Sequence, residues 1–469
     1  MFHQMEELRE GRPTLVRSLE LTYQNDALSE HLLASDFLLK AVQKGYQWTF
    51  DEQVNEWQVK TKSMPALRME YSSVTWDFAI QTVAKEEMSE APQGLTGPYQ
   101  WIDFEGEGLN GILTEQGNAW YYKNNLGKAH FSPTRRIAQK PNATGLGSKS
   151  QWQDLDADGS RQLVVQEAGQ NGYWELEPTQ DAYLKEGKWM PFRPFEKQVN
   201  IDWNSPHTLR LDLDGDGRAD TLIAGDNVWT WYANKGRKGM ENGGQVLNTT
   251  EEEKGPVLLL RDQLQSIFLA DMSGDGLTDI VRIRNGEVCY WPNLGYGRFG
   301  AKVSMLHAPY FQAGDKYNPQ YITLSDIRGT GTADLIYIGK ENTKIWLNQA
   351  GNGFSEAVLV PPMPSTDAYS KIAVLDFLGN GTSCLVWSSP LPHHSASPIR
   401  YIDLLGGKKP YLLTTFQNGM GKEISLEYKS STHYYLEDKK QGIYWATKLP
   451  FPVHCVHKIT TKDTVSETT

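Results

Sequence analysis

Short apolar runs alternate with Asp-Gly loops from about residue 92 to residue 405. In the clearest case, apolar residues 266–270 precede a loop at 271–276. A second apolar run follows at 279–283, and the turn Asn285-Gly286 leads into a third at 288–291. Asn-Gly between apolar runs is a strong hairpin signal, because both residues accept positive φ angles. Each such unit therefore predicts four short β-strands.

This loop pattern occurs six times, with gaps of 51, 58, 59, 55 and 50 residues. The copies begin at Asp103, Asp154, Asp212, Asp271, Asp326 and Asp376. A second signature, an aromatic residue two positions before an asparagine, ends 22 residues after the first aspartate at Asn234, Asn293 and Asn348. In the first copy we match it to Asn124, 21 residues after Asp103. A repeat of this length is typical of β-propellers. We therefore predict an all-β, six-bladed propeller at residues 92–405.

The segments on either side, residues 1–91 and 406–469, also have mostly β character. Alternating or apolar runs at residues 15–24, 67–71, 422–429 and 452–460 predict strands. One short run, Asp26 to Val42, has helical periodicity. We therefore expect β-rich flanks before and after the propeller.

Composition and motifs exclude several function classes. The chain has 46 Lys and Arg against 57 Asp and Glu, a net charge of −11, which disfavours nucleic-acid binding. No run of about 18 apolar residues predicts a membrane span. The polar, acidic N-terminal residues predict no secretory signal peptide. Neither H-E-x-x-H nor G-x-S-x-G occurs. We therefore expect no enzyme and no required cofactor.

The third loop is the best candidate for a calcium site. Asp212, Asp214, Asp216 and Asp220 occupy loop positions 1, 3, 5 and 9. Hard oxygen ligands on alternating residues of a tight loop suit Ca²⁺. The alternative is structural, because aspartates in such loops also accept backbone N–H groups in Asx turns. The fifth loop has Arg328 at position 3, which predicts no cation there. Both interpretations of the third loop stay open.

Two Glu-x-Glu pairs also lie inside the repeats, at Glu105 and Glu107 and at Glu175 and Glu177. We interpret all four as surface acids of strands or loops.

The six loops resemble FG-GAP/VCBS-type propeller repeats, and the order of the other segments resembles a narrower family. Residues 11–17 and 64–71 precede the repeats, and the segments Asn-Gly-Met-Gly (418–421) and Leu-Pro-Phe-Pro-Val-His (449–454) follow them. This arrangement resembles the middle region of the B component of tripartite insecticidal toxin complexes, which is related to plasmid-virulence proteins.

That resemblance implies a propeller inserted into a shell of Rhs/YD-type strands. In the family, the shell is built with the effector-carrying C component, and the propeller docks onto the channel-forming A component and gates effector release. We would then expect a non-enzymatic toxin component, secreted or extracellular within its complex. YD-type repeats and an effector are absent from the 469 residues, so the chain is expected to be a fragment or to have its shell completed by another chain. The alternative is a calcium-stabilised extracellular adhesion or carbohydrate-binding propeller.

Overall fold

A computed structural model shows a chain built almost entirely of β-strands. It describes residues 2–3, 9–24, 37–88, 95, 98–141, 150–167, 170–177, 187–203, 205, 207–225, 228–247, 249, 251–256, 266–312, 317–339, 342–364, 369–463 and 465. The chain divides into two compact units. One comprises residues 1–74, 409–429 and 454–469, and the other comprises residues 75–408 and 430–453.

The larger unit contains six four-stranded antiparallel sheets. The strands of the first two blades are β8 (Tyr99–Ile102), β9 (Gly111–Gln116), β10 (Ala119–Lys123) and β11 (Arg135–Gln139), then β12 (Ser150–Gln153), β13 (Gln162–Glu167), β14 (Gln170–Trp174) and β15 (Arg193–Pro194). Those of the third and fourth are β16 (Thr208–Leu211), β17 (Asp220–Ala224), β18 (Val228–Asn234) and β19 (Met240–Leu247), then β20 (Ile267–Ala270), β21 (Asp279–Arg284), β22 (Glu287–Trp291) and β23 (Val303–Ser304). Those of the fifth and sixth are β24 (Ile322–Ser325), β25 (Asp334–Ile338), β26 (Thr343–Trp346) and β27 (Val358–Val360), then β28 (Lys371–Leu375), β29 (Cys384–Ser388) and β30 (Ile399–Asp403). The predicted six-bladed propeller is confirmed.

The sixth blade takes its outer strand from the N-terminal side of the repeats. Strand β7 (Ile80–Thr82) pairs antiparallel with β30, so that Arg400 lies opposite Thr82. The predicted boundaries of 1–91, 92–405 and 406–469 therefore differ from the compact units, because residues 75–91 and 430–453 also belong with the propeller. Pairing of an early strand with the last repeat completes the sixth blade and closes the ring of blades, with the short strand β7 as the outer edge of that blade.

The smaller unit has a seven-stranded sheet. Its strands are β3 (Arg17–Tyr23), β4 (Leu38–Asp51), β5 (Glu56–Ser63), β6 (Leu67–Tyr71), β31 (Leu413–Gln417), β32 (Lys422–Ser430) and β33 (His454–Asp463). They run in the order β3-β4-β6-β31-β32-β33, and β5 also pairs with β4. A separate two-stranded sheet joins β1 (Phe2–His3) and β2 (Thr14–Leu15). The predicted strands of the flanks thus lie in one sheet.

Large side chains fill the propeller blades. Trp120, Trp291 and Trp387 are fully buried. The apolar clusters run from blade to blade; one of them joins Leu222 and Trp231 of the third blade to Ile280 and Trp291 of the fourth. Burial of such large rings is a major source of stability for a sheet-on-sheet core.

Helices are few in the described part of the chain. They are α1 (Lys85–Met88) and α2 (Ser431–Lys440), with short 3-10 turns at Arg9–Gly11, Gly236–Lys238, Pro319–Tyr321 and Pro392–His394. The helix predicted at Asp26 to Val42 is wrong for residues 38–42, which lie in β4, and residues 26–36 lie outside the described residues. Among the described helices, none has the length and apolar character needed to cross a membrane.

Candidate functional site

The first aspartate of every repeat loop has the same structural role. Each carboxylate accepts hydrogen bonds from backbone N–H groups four or five residues further along its own loop, as in Gly217 to Asp212 at 2.8 Å. The six acceptors are Asp103, Asp154, Asp212, Asp271, Asp326 and Asp376. The carboxylate thus replaces water for N–H groups that the tight turn leaves unpaired. This accounts for the repeated aspartate without a metal ion.

The third loop brings together three of the four predicted metal-site residues. Carboxylate oxygens of Asp212, Asp214 and Asp216 lie within 4.8 Å of one another. Lys235 Nζ lies 3.6 Å from Asp214, and Arg218 lies 3.1 Å from Asp216, so two of these charges already have cationic neighbours. These three residues offer a loose set of oxygen ligands at the surface. Calcium binding by the set stays a prediction.

Asp220 is not part of that set. Its fully buried carboxylate accepts from the N–H of Leu213 at 2.9 Å and from the N–H of Asn234 at 2.7 Å. Burial raises the pKa of Asp220 to about 6, against the opposing effect of these two hydrogen bonds. Asp220 therefore lies apart from Asp212, Asp214 and Asp216, because it points into the blade and ties its loop to β18, and calcium binding by the four predicted carboxylates stays a prediction.

The residue at loop position 9 also points into the blade and accepts backbone hydrogen bonds in other blades, although its type is not always aspartate. The carboxylates of Asp279 and Asp334 accept hydrogen bonds from the equivalent backbone N–H groups. In the second blade, the side-chain oxygen of Gln162 accepts from the N–H of Leu155 at 3.0 Å. In the first blade the position is Gly111, and the hydroxyl of Tyr122 accepts from the N–H of Phe104 instead. These blades thus keep a hydrogen-bond acceptor at the same place, although the residue that supplies it changes.

In the first, fourth and fifth blades, the asparagine of the second signature joins neighbouring blades. Asn293 donates to the carbonyl of Asp212 in the preceding blade at 3.1 Å, and Asn348 donates to that of Met272 at 3.0 Å. In the first blade the equivalent residue is Asn125, not the predicted Asn124, and it donates to Phe377 of the sixth blade at 2.9 Å. Asn125 follows Asp103 by 22 residues, the spacing of the other copies. The signature is therefore a connector that also closes the ring.

Arg328 supplies the fifth loop with a cation of its own. Its guanidinium donates to Asp334 at 2.7 Å and to the carbonyl of Asn348 at 2.7 Å, and both charged side chains are buried. Burial raises the pKa of Asp334 to about 6, while Arg328 opposes that rise. Arg328, which the sequence places in a loop, thus forms a buried ion pair with Asp334.

The two ends of the propeller differ in what they carry. One end, which we call the Asp-loop end, has the six aspartate loops. The other, the hairpin end, has the turns between second and third strands, such as residues 117–118 and 285–286. Strand β29 leaves the Asp376 loop, and β30 runs back to it, so the chain leaves the sixth blade at the Asp-loop end. It also enters there, because the N–H of Asp77 donates to the carbonyl of Leu404 at 3.0 Å.

A segment after the repeats, residues 430–453, lies across the Asp-loop end; we call it the clasp segment. Ser430 Oγ donates to the carbonyl of Gly379 in the sixth blade at 2.9 Å. At Gly108 of the first blade, with φ of +74°, an added Cβ would lie 3.2 Å from the carbonyl oxygen of Leu449. At Gly159 of the second blade, it would lie 2.8 Å from Cβ of Lys448. The clasp segment therefore packs on three consecutive blades, on both sides of the ring closure.

Glu105 and Glu107, which we predicted to be surface acids, are buried beneath the clasp segment. Their side chains are 12% and 8% exposed. Arg135 pairs with Glu105, and Lys439 of α2 pairs with Glu107. Glu175 is also largely buried and pairs with Arg237 at 2.7 Å, whereas Glu177 is exposed. The prediction failed for Glu107 because its partner lies 332 residues away, and no local pattern signals such a pair.

Two family models match parts of the chain. Residues 348–469 match the family described as insecticide toxin TcdB middle/N-terminal region. Residues 212–282 match the FG-GAP-like repeat. The predicted resemblance to a toxin B component is confirmed. No curated protein matches the chain.

Solved structures of Tc toxins match over almost the whole chain. A Photorhabdus luminescens Tc holotoxin pore is 26% identical, with a TM-score of 0.77, and the match covers 99% of this chain and 21% of that one. A TcdB2-TccC3 crystal structure is 25% identical, with a TM-score of 0.64, and the match covers 99% and 22%. A TcdB2-TccC3-Cdc42 structure is 25% identical, with a TM-score of 0.63, and the match covers 99% and 21%. The chain thus spans about a fifth of the length of these Tc proteins.

Proposed function

We propose that this chain is the propeller-bearing part of a non-enzymatic Tc toxin B component. In this role the propeller docks onto the channel-forming A component and gates passage of an effector that a C component carries. The observation that carries the proposal is the match to the Tc holotoxin pore, which extends over 99% of the chain, flanks as well as propeller. Action within such a complex would be extracellular.

The topology of the propeller supports docking through the hairpin end. The chain enters and leaves the propeller at the Asp-loop end, and the clasp segment lies there as well. The hairpin end carries the turns between second and third strands and the connections between successive blades, whereas the Asp-loop end also carries the entry and exit of the chain and the clasp segment, which cover part of that end. We therefore assign the contact with the channel-forming component to the hairpin end.

Two exposed tyrosines provide a matched test of this assignment. Tyr310 is 66% exposed and lies beside the hairpin at Gly286, whose N–H donates to Pro309. Tyr296 is 63% exposed and lies at the Asp-loop end, where its N–H donates to the carbonyl of Leu213. Exposed tyrosines are frequent anchors of protein interfaces. The two residues thus differ in the end of the propeller on which they lie, not in chemistry.

The experiment measures binding of the immobilised channel-forming component to the chain and to each variant by interferometry. We expect Tyr310→Lys to weaken binding by about tenfold or more, since a buried unpaired charge is costly, and Tyr296→Lys to leave it within about twofold. Absence of binding by the parent chain would contradict the proposed function. Weakening only by Tyr296→Lys would instead contradict the assignment to the hairpin end.

A second candidate, a calcium-stabilised adhesion or carbohydrate-binding propeller, is favoured by one observation. The carboxylates of Asp212, Asp214 and Asp216 converge at the surface of the third loop. Binding of the chain to a glycan array only in the presence of calcium, without binding to the channel-forming component, would favour this candidate.

A further inference from the structure

A cluster of four charged side chains lies where the clasp segment meets the first blade. Lys439 of α2 donates to Glu107, and its Nζ also lies 3.8 Å from Glu105. Arg135 of β11 donates to Glu105. The side chains of all four residues are 14% exposed or less. Tyr435 of α2 adds a hydrogen bond from its hydroxyl to Glu107 at 2.5 Å. The clasp is thus anchored by a buried ionic cluster.

Apolar anchoring of the clasp segment is weaker. Leu436 approaches the turn of the first blade, where its Cδ1 would lie 3.2 Å from a Cβ added to Gly127. Beyond the helix, Ile443, Tyr444 and Phe451 are 53%, 55% and 62% exposed. Because these large side chains contribute little burial, attachment of the clasp depends strongly on the ionic cluster.

The ends of the clasp segment are tied to each other. The N–H of Ser431 donates to the carbonyl of Val453 at 2.7 Å, and the N–H of Val453 donates to Ser431 Oγ at 3.0 Å. The segment therefore forms a closed loop that contacts the first blade through α2 and also, near its base, through Leu449 and Phe451 at Gly108.

We propose that the clasp segment is a pH-sensitive closure of the propeller ring, held most tightly when the two glutamates beneath it share one proton. The inference goes beyond the toxin assignment and does not depend on it. It concerns the seam where the first and sixth blades meet, which the clasp crosses between Gly379 and Gly108.

The electrostatics of the cluster set the direction of the effect. Burial and the neighbouring Glu107 carboxylate raise the pKa of Glu105 to about 7, although Arg135 and Lys439 lower it. The other titratable groups that face this cluster are Asp103, Tyr122 and Tyr435, and Arg161 faces Asp103. Two buried carboxylates in contact repel one another unless one is protonated.

The sign of the pH dependence follows from linkage. When the clasp detaches, water reaches Glu105 and the part of its raised pKa that is due to burial by the clasp is lost, whereas Glu107 stays beside it. The closed form therefore binds more protons below about pH 7. Closure is strongest on the acidic side of this value and weakens as the pH rises to about 7. Burial lowers the pKa of Lys439 from 10.5, and this change acts in the opposite direction, because it favours closure as the pH rises through the lowered pKa.

The test measures amide hydrogen exchange of α2 in the full chain at pH 6 and pH 8, as protection factors corrected for intrinsic exchange. We expect protection of residues 431–440 to fall roughly tenfold from pH 6 to pH 8, the limit set by loss of a proton from a group whose pKa is about 7 only in the closed form. Amides of β9 and β10 serve as the internal reference for a folded first blade. Equal protection of α2 at both pH values in the parent chain would overturn the proposal without any variant.

Two variants show whether Glu105 is the responsible group. Glu105→Gln removes the titration, so protection of α2 should change by less than about twofold between pH 6 and pH 8. Glu115→Gln is the matched control, because Glu115 lies in the same blade, is 17% exposed and pairs with Lys140 at 2.5 Å. It should keep the tenfold change. A tenfold change that persists in Glu105→Gln would contradict the assignment.

Discussion

The side-chain amide of Asn125 in the first blade donates a hydrogen bond to the main-chain carbonyl of Phe377 in the sixth blade, at 2.9 Å. The same amide donates to Asn110 at 3.1 Å, and its oxygen accepts from the N–H of Gly127 at 2.9 Å. Asn125 is 2% exposed, so these groups have no ready access to water. One residue thus fixes a turn of the first blade and connects it to the last.

Replacement of Asn125 should weaken the ring closure. Asn125→Ala leaves two carbonyls and one N–H without their partner, and we expect a loss of about 2 kcal/mol in the free energy of unfolding. Urea unfolding measures this loss. Asn118→Ala, in an exposed turn of the same blade, is the control and should stay within about 0.5 kcal/mol of the parent. Equal stability of the two variants would contradict the connecting role of Asn125.

Replacement of Arg328 should lower the free energy of unfolding more than replacement of Asn125 does. Arg328→Met leaves the buried carboxylate of Asp334 without its cation, and breaking a buried pair in this way costs about 3–5 kcal/mol. Thermal and urea unfolding measure the effect. Arg218→Met in calcium-free buffer is the control, because its partner Asp216 is 30% exposed, and we expect a change of at most about 1 kcal/mol. Equal stability of the two variants would contradict the role of Arg328 as the cation that Asp334 requires.

Calcium should act through three aspartates of the third loop. If the parent chain melts at higher temperature in calcium, Asp214→Ala should abolish that rise. At a calcium concentration a hundredfold above Kd, binding stabilises the folded chain by about 2.7 kcal/mol. Asp275→Ala in the fourth loop should keep it, because that loop has Ser273 in place of the second carboxylate. Differential scanning fluorimetry measures both. A parent chain that is insensitive to calcium would exclude the site.

Asp220 separates the structural role from the metal-binding role. Because its carboxylate bonds Leu213 and Asn234 inside the blade, Asp220→Asn should lower the melting temperature by a similar amount with and without calcium. If Asp220→Asn abolished the calcium-dependent rise in melting temperature without changing stability in calcium-free buffer, Asp220 would instead be a calcium ligand.

The sequence predicts the propeller well because its signals are local. Each Asp-Gly loop needs glycine at positive φ, as at Gly217 with φ of +81°, and its spacing repeats with the blade. The outer strand of the sixth blade, Ile80–Thr82, was missed because three residues carry no repeat signature. The burial of Glu107 was missed because Lys439 is distant in the chain. Local chemistry thus predicts the blades, whereas long-range pairing decides closure and the clasp.

The most direct test of the central claim is a hydrogen-exchange footprint of the full chain with and without the channel-forming component. We predict new protection at the hairpin end, in residues 285–286 and 309–311, and none in the Asp loops at 212–217 and 271–276. The hairpin of the first blade, residues 117–118, is a second site where protection is expected. Protection confined to the Asp loops, or no change anywhere in the chain, would contradict docking of this propeller through its hairpin end.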